Sequence, residues 1–282
     1  MNILISVEEL NQRMSSPSSK AALVIFDCRF SLADFALGHK QYALGHIPGA
    51  LHLDMEAQLS GPKTQHGGRH PVPSAQQFTD SMQKMGVNRN SLVIAYDDNR
   101  LAGAARLWWL LQHFGHRQIR LLDGGLNAWQ AQGMPISQQI ATPGKGDFLA
   151  NSATAQTVDY QWLTAHLQDE QLQLIDSREA PRYQGLEEPV DPIAGHIPGA
   201  LNYPWQGVTD EQGQALSGDK QRERWAELAR DKQTIVYCGS GVTACVNLLS
   251  LKLAGIDNAK LYSGSWSDWC SYAGSPKIVK AQ

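Results

Sequence analysis

The sequence predicts an α/β protein that contains two tandem copies of one domain, each a mainly parallel sheet flanked by helices. Three observations lead to this prediction. Short apolar, β-branched segments alternate with helical segments, which is typical of parallel α/β folds. Residues 45–50 and 195–200 both read Gly-His-Ile-Pro-Gly-Ala. Because the elements around the two hexapeptides also follow the same order, we interpret the chain as a duplication.

The first predicted domain spans residues 1–137. Ser6 and Glu9 form a capping-box pattern, which predicts a short helix at the start of this domain. Apolar runs bounded by turn residues predict strands at 21–26, 51–53, 92–96 and 119–122. An apolar helix is expected at 104–114, and the turn at 123–125 leads into another helix.

The second predicted domain spans residues 157–282, after a polar linker at 138–156. Residues 174–178 read Leu-Ile-Asp-Ser-Arg and echo the Ile-Phe-Asp-Cys-Arg of the first domain. We interpret the acid and arginine of each copy as a scaffold ion pair, and the histidine of each hexapeptide as structural. A further strand is expected at 234–237 and a helix at 244–254.

Composition narrows the function classes. A chain of 282 residues is long enough for two domains, and 42% hydrophobic with 18% charged residues is typical of a globular protein. A net charge of −3 indicates neither a nucleic acid nor an anionic membrane as partner. The four cysteines lack disulfide-framework or zinc spacing, and no apolar run is long enough to span a membrane. We therefore expect a cytoplasmic protein without a metal or organic cofactor.

Cys238 is the predicted nucleophile. It ends an apolar strand and precedes Gly-Ser-Gly-Val-Thr, after which a helix begins. The glycines allow the loop to curl so that its amides and the first helical N–H groups face the sulfur. Such a setting is expected to lower the thiol pKa from about 8.5 to about 3.5–7.5. The alternative is that Cys238 is a small buried hydrophobic residue.

Two comparisons narrow the chemistry of this loop. A Cys-x5-Arg phosphatase needs a guanidinium to hold the phosphoryl group, but Ala244 occupies that position. The hydroxyls of Ser240 and Thr243 suit a sulfur that is first a thiolate and then a persulfide. In the first half, Asp97 stands at the position that matches Cys238, so we expect that domain to be inert.

These residues together resemble the tandem-domain rhodanese family, over about residues 7–276. The loop is similar to that of 3-mercaptopyruvate sulfurtransferases, whereas animal thiosulfate sulfurtransferases carry Arg and Lys in place of Gly239 and Ser240. The resemblance implies ping-pong sulfur transfer, in which Cys238 takes sulfur from a small-molecule donor and holds it as a persulfide. The implied acceptors are cyanide, a thiol or thioredoxin.

The resemblance also implies further site residues. Ser240 and His70, with Asp54 or Glu56, are expected to relay a proton to the leaving enolate. Arg182 matches an arginine that binds the substrate anion. The other implied binding residues lie in the loop or in the first half, and they are Gly239, Gly241, Val242, Thr243, Phe30, Arg100 and Arg106.

The preferred donor has two candidates. The loop predicts a sulfurtransferase that uses 3-mercaptopyruvate. Asp191, however, stands where mercaptopyruvate enzymes have a second arginine, and an aspartate there resembles the thiosulfate branch. The alternative is therefore a thiosulfate:cyanide sulfurtransferase. A non-catalytic sulfur-relay or binding protein is the remaining alternative, and the intact Cys238 loop argues against it.

Overall fold

The chain folds into two compact units. The computed structural model describes residues 2–16, 22–151 and 156–279. The first unit consists of the described residues within Met1–Gly61, Pro73–Thr154 and Thr209–Ala215. The second unit consists of those within Pro62–Val72, Ala155–Val208 and Leu216–Gln282. Two short segments, 62–72 and 209–215, are thus grouped apart from their neighbours in sequence.

The first unit contains one sheet of five strands within the described residues. Its elements, in chain order, are β1 (Leu4–Ile5), α1 (Val7–Ser15), β2 (Leu23–Asp27), α2 (Leu37–Leu44), β3 (Leu51–His52), α3 (Ala75–Lys84), β4 (Leu92–Tyr96), α4 (Ala102–His113), β5 (Ile119–Leu122) and α5 (Gly125–Ala131). The strand order is β1-β5-β4-β2-β3, and every neighbouring pair is parallel. The central strand is β4.

The second unit repeats this architecture over the part of it that is described. Its elements are β6 (Thr157–Val158), α6 (Tyr160–His166), β7 (Leu172–Asp176), α7 (Ala180–Tyr183), β8 (Ala200–Asn202), α8 (Gly218–Arg224), β9 (Gln233–Tyr237), α9 (Ala244–Leu253), β10 (Ala259–Tyr262) and α10 (Ser265–Ser271), with a 3-10 helix at Trp205–Val208. The parallel strand order β6-β10-β9-β7-β8 matches that of the first unit. The predicted pair of parallel α/β sheets is confirmed.

Burial explains why these segments form a central strand and a covering helix. In β9 every residue except the first is buried, as expected for a parallel strand covered on both faces. In α9, residues 244–251 are all buried, so the helix is enclosed rather than amphipathic. Among the described residues, no helix combines the length and the apolar character that a membrane span requires.

Each unit contains its own copy of one buried ion pair. Asp27 pairs with Arg29 and Asp176 pairs with Arg178, each at 2.6 Å and each directly after a strand. The histidine of each hexapeptide bonds through Nδ1 to a carbonyl of the helix that precedes it. These contacts confirm that both repeated features belong to the scaffold.

Candidate active site

Cys238 lies at the carboxyl end of β9, the central strand of the second sheet, directly before the loop that leads into α9. This edge of a parallel α/β sheet is where ligands usually bind. The side chain is buried, and its Sγ accepts the N–H of Gly241 at 3.1 Å. Gly241 has φ +80°, and a Cβ there would press against the carbonyl of Ser263. The turn that brings an amide to the sulfur therefore requires glycine.

The start of α10 holds the backbone of Cys238. The N–H of Cys238 donates to Oγ of Ser265 at 3.1 Å. The N–H groups of Trp266 and Ser267 donate to the carbonyls of Cys238 and Gly239 at 3.0 and 2.9 Å. The reactive end of the loop is thus fixed before a substrate arrives, which is the condition for effective electrostatic stabilisation. Ser265 was not predicted from the sequence.

His70 and Ser240 meet in the second unit, although 170 positions separate them in sequence. Nδ1 of His70 lies 2.8 Å from Oγ of Ser240, and both side chains are buried. The tautomer of His70 decides whether the imidazole or the hydroxyl is the donor. The two residues that were expected to relay a proton are therefore within hydrogen-bond distance of each other.

The turn before His70 explains its position. The N–H of Gly67 donates to Oδ1 of Asp268 at 2.6 Å, and the N–H of Arg69 donates to Oγ of Ser267 at 3.1 Å. Both acceptors are side chains of α10. The helix that supports the Cys238 loop thus also holds the turn that carries Arg69 and His70.

Two arginines lie beside the loop and share one acid. Asp191 pairs with Arg69 through Oδ1 and with Arg182 through Oδ2, the latter at 3.3 Å. Glu188 also binds Arg182, at 2.6 Å. Burial raises the pKa of Asp191, in spite of the neighbouring Arg69. Burial also opposes ionisation of Glu188, but hydrogen bonds from Arg182 and nearby amides leave its pKa below the ordinary value.

The rest of the loop is closely packed. Val242 is buried, and Thr243 is half-buried before the first residue of α9, without a capping hydrogen bond from its side chain. Cys245 is buried one turn further on, and its thiol donates to the carbonyl of Gly241 at 3.4 Å. In the part of the chain that the structure describes, no group of three or more His, Cys, Asp or Glu side chains could hold a metal ion.

The remaining predicted site residues lie in the first unit, and they are Phe30, Asp54, Glu56, Arg100 and Arg106. The carboxylate of Asp54 accepts the N–H groups of Glu56 and Ala57, each at 2.8 Å. Arg106 is fully buried and donates to a main-chain carbonyl at 3.2 Å. Arg100 donates to a threonine hydroxyl at 3.3 Å, and Phe30 is half-buried. The described contacts of Arg106 favour a packing role.

Asp97 occupies the end of β4, as Cys238 occupies the end of β9. Its carboxylate accepts the N–H groups of Asn99, Leu101 and Ala104 at 2.8, 3.1 and 2.9 Å. Burial is the largest influence on this group and raises its pKa to about 6, although the three amides act in the opposite direction. The amides of this loop are thus taken by an internal carboxylate.

A buried cysteine at the end of a central parallel strand, with an amide on its sulfur and an imidazole bonded to a hydroxyl of its loop, is an arrangement that enzymes with a cysteine nucleophile use. The Rhodanese-like domain family matches this chain at residues 6–132 and 159–272. The chain therefore belongs to the rhodanese family of sulfurtransferase enzymes, as the sequence resemblance indicates.

Similar proteins support this assignment. The chain is 40% identical over 271 residues to a probable 3-mercaptopyruvate sulfurtransferase of Pseudomonas aeruginosa, covering 94% of each chain. It is 37% identical over 250 residues to a putative thiosulfate sulfurtransferase, SseB, of Mycobacterium tuberculosis, covering 88% of this chain and 87% of that one. The crystal structure of SseA from Escherichia coli, described as a 3-mercaptopyruvate sulfotransferase, superposes with a TM-score of 0.82 and 31% identity, covering 95% of this chain and all of that one.

Proposed function

We propose that this enzyme moves sulfane sulfur from 3-mercaptopyruvate to a thiophilic acceptor through a persulfide on Cys238. The observation that carries the proposal is the 2.8 Å contact between His70 and Ser240 in the loop of the nucleophile. After 3-mercaptopyruvate gives up its sulfur, the leaving group is the enolate of pyruvate, which needs a proton. The leaving group from thiosulfate is sulfite. A hydroxyl–imidazole pair can act as the general acid for the first donor, whereas the second donor needs no general acid.

The first half of the reaction loads the enzyme with sulfur. The Cys238 thiolate attacks the donor sulfur, an S–S bond forms, and the C–S bond breaks with its electron pair passing to carbon. The resulting enolate takes a proton from Ser240, which is replenished by His70, and pyruvate leaves. The amide of Gly241 donates to Sγ and stabilises the negative charge that Sγ carries as a thiolate.

The second half returns the enzyme to its starting state. A thiolate or cyanide attacks the outer sulfur of the persulfide, the S–S bond breaks, and Cys238 leaves as a thiolate. We include thioredoxin among the acceptors and the cytoplasm as the location. Both fit the four cysteines, which all lie in the described residues and form no disulfide there, because a reducing compartment keeps thiols reduced.

The acid of the relay is proposed to be Asp54 or Glu56, the two residues that the resemblance offers. The Asp54 carboxylate accepts two main-chain N–H groups of its own turn, both through Oδ1. We also propose that the copy at residues 157–282 is the catalytic domain, because it carries Cys238, and that the copy at residues 1–137 has no nucleophile of its own, since Asp97 stands at that position. The three amides that bind the Asp97 carboxylate support this division of roles.

Thiosulfate is the second candidate donor. Asp191 stands where mercaptopyruvate enzymes are expected to have another arginine, and the M. tuberculosis relative is named a putative thiosulfate sulfurtransferase. Both observations favour a donor other than mercaptopyruvate.

Turnover with each donor tests the proposal. We expect cyanide-dependent turnover with 3-mercaptopyruvate to exceed that with thiosulfate by about tenfold or more in kcat/KM, which is about 1.4 kcal/mol in transition-state binding. Cys238→Ser should be inactive with both donors and should lack cyanide-labile sulfur, whereas Cys245→Ser should keep it. A preference for thiosulfate would reverse the choice of donor.

A further inference from the structure

Two guanidinium groups approach the residue that follows the nucleophile. A methyl group added at Gly239 would lie 3.0 Å from Nη2 of Arg69. The same methyl group would lie 3.4 and 3.5 Å from Nη2 and Nη1 of Arg182. Because Gly239 is adjacent to Cys238, both cations are next to the position where a donor must react.

The acids that hold these arginines lie behind them. The side chains of Glu188 and Asp191 are only 3% and 2% exposed, whereas those of Arg182 and Arg69 are 15% and 25% exposed. Buried carboxylates thus hold each guanidinium from one side and leave part of it accessible. The accessible part of each guanidinium can donate charge-assisted hydrogen bonds to an anion.

The backbone of Arg69 is also held in place. Its N–H donates to Ser267, and the preceding Gly68 has φ +81° and lies against the carbonyl of Gly264, where a side chain would not fit. Arg69 is therefore anchored at both ends, since the turn holds its backbone and Asp191 holds its guanidinium. A cation anchored in this way loses little conformational entropy when it binds an anion.

We propose that Arg69, together with Arg182, binds the anionic group of the sulfur donor beside Cys238, and that Asp191 positions Arg69 for this task. The inference rests on the proposed function, and it deepens that function by naming a residue that recognises the donor. The expected ligand class is a 2-oxo acid with a 3-thiol, because two neighbouring planar guanidinium groups match a carboxylate and its adjacent carbonyl oxygen. In the alternative case, the same pair would bind the oxygens of thiosulfate.

Steady-state kinetics separate the donor from the acceptor. In a ping-pong reaction, kcat/KM for the donor reports only sulfur uptake, and kcat/KM for the acceptor reports only sulfur release. We expect Arg69→Gln to lower kcat/KM for 3-mercaptopyruvate by about tenfold or more, because charge-assisted hydrogen bonds are lost. The value for 2-mercaptoethanol, an uncharged acceptor, should stay within about twofold.

Two further variants keep the test decisive. Arg69→Lys retains the charge but not the planar fork, so it should lose less than Arg69→Gln, and it serves if the glutamine variant does not fold. Arg222→Gln is the matched control, because Arg222 forms an exposed surface pair with Asp219, and it should leave both constants unchanged.

The outcomes distinguish this inference from the proposed function. An unchanged donor constant in Arg69→Gln would overturn the inference, as would an equal loss in both half-reactions. If Arg69→Gln instead impairs thiosulfate more than mercaptopyruvate while the wild type prefers thiosulfate, the anion site stands and the proposed donor falls. A wild-type enzyme that forms no persulfide with either donor would overturn both.

Discussion

The positive charge near Cys238 comes from outside the loop that contains the cysteine. Gly239 and Ser240 carry no charge, and from the sequence alone they predict a neutral loop. The structure adds Arg69 from a turn and Arg182 from α7, both beside Gly239. The glycine leaves room for these guanidinium groups, since any side chain at this position would meet them. In the proposed site, donor recognition therefore depends on residues that are distant from the loop in sequence.

Ser240 is the residue at which a substitution should affect turnover of the two donors differently. Ser240→Ala removes the hydroxyl that lies 2.8 Å from His70. We expect kcat with 3-mercaptopyruvate to fall by about 10²-fold or more, the usual contribution of general acid catalysis, and kcat with thiosulfate to fall by less than about threefold. Turnover of one enzyme preparation with both donors makes thiosulfate the internal control. Equal losses with the two donors would contradict the relay.

Ser265 combines a useful hydrogen bond with an unfavourable backbone conformation. It has φ +57°, the same value as Gly125 at the matching position of the first unit. Ser265→Ala keeps this strain and leaves the buried N–H of Cys238 without its acceptor, so we expect a loss of about 1–3 kcal/mol in the free energy of unfolding. Ser265→Gly loses the same bond but relieves the strain, and should be more stable than the alanine variant by about 1 kcal/mol.

Urea denaturation of the two Ser265 variants measures this difference. The comparison needs no assumption about the wild type, because both variants lack the hydroxyl. If the glycine variant is no more stable than the alanine variant, the positive φ at this position carries no cost.

Among the elements, α10 connects the nucleophile with the turn that carries Arg69 and His70. The N–H groups at its start bind the carbonyls of the Cys238 loop, while its Asp268 side chain binds the turn through Gly67. Asp268 also accepts the hydroxyl of Tyr262 at 2.7 Å through its other oxygen. One short helix therefore sets the geometry between the nucleophile and its neighbours.

Asp268 tests this role of α10. Asp268→Ala removes both hydrogen bonds, so we expect a loss of about 2–4 kcal/mol in the free energy of unfolding and a lower kcat/KM for the donor. Asp268→Asn keeps one acceptor oxygen and should show about half of that loss in stability. Urea denaturation and donor kinetics of the two variants test whether Asp268→Ala is more damaging than Asp268→Asn. A donor constant that stays at the wild-type value in Asp268→Ala would show that this contact does not position the turn.

The elements differ in how well the sequence predicts them. The bounds of β4 and β5 are predicted without error, because their apolar runs end abruptly at turn residues. Helix α2 was missed, since its first turn lacks a capping side chain and its apolar residues do not follow a helical period. Helix α3 was also missed, although the capping box of Ser74 and Gln77 was a readable signal.

The residues of the candidate site also differ in how well the sequence predicts them. Cys238 stands out because a strand, a glycine loop and a helix follow one another in sequence, so local pattern is sufficient. His70 and Ser240 were paired only through the family resemblance. The pairing of Arg69 with Asp191 was not predicted, because it depends on a tertiary contact across 122 positions that no local pattern reveals.

At the scale of the whole molecule, duplication predicts the two sheets but not the bounds of the units. Segment 62–72 precedes α3 of the first unit in sequence, yet it belongs to the second unit, where Gly67 and Arg69 bind α10. The repeat shows that two similar sheets exist. It contains no signal for the sheet on which a long loop between elements packs, since that depends on a few hydrogen bonds to distant residues.

The duplication also leaves the first unit with a buried acid whose ionisation depends on pH. The pKa of Asp97 is raised to about 6 from the model-compound value of 3.8, chiefly by burial. A carboxyl group whose pKa is higher in the folded than in the unfolded state stabilises the fold fully below its unfolded pKa. That contribution is lost as the pH rises through its folded pKa. The window for Asp97 therefore runs from about pH 4 to about pH 7.

Asp97→Asn gives a direct measurement, because asparagine has the same shape and does not titrate. We expect the free energy of unfolding of the wild type, minus that of the variant, to fall by up to about 3 kcal/mol between pH 4 and pH 7, at about 1.4 kcal/mol for each unit of pKa shift. Subtracting the variant removes the contributions of other titrating groups, including the adjacent Asp98. Urea denaturation at several pH values provides the data. Parallel curves for the two proteins would mean that the three amides around Asp97 offset its burial completely. The expected divergence would show that the first unit carries an ionised acid at a cost to its own stability.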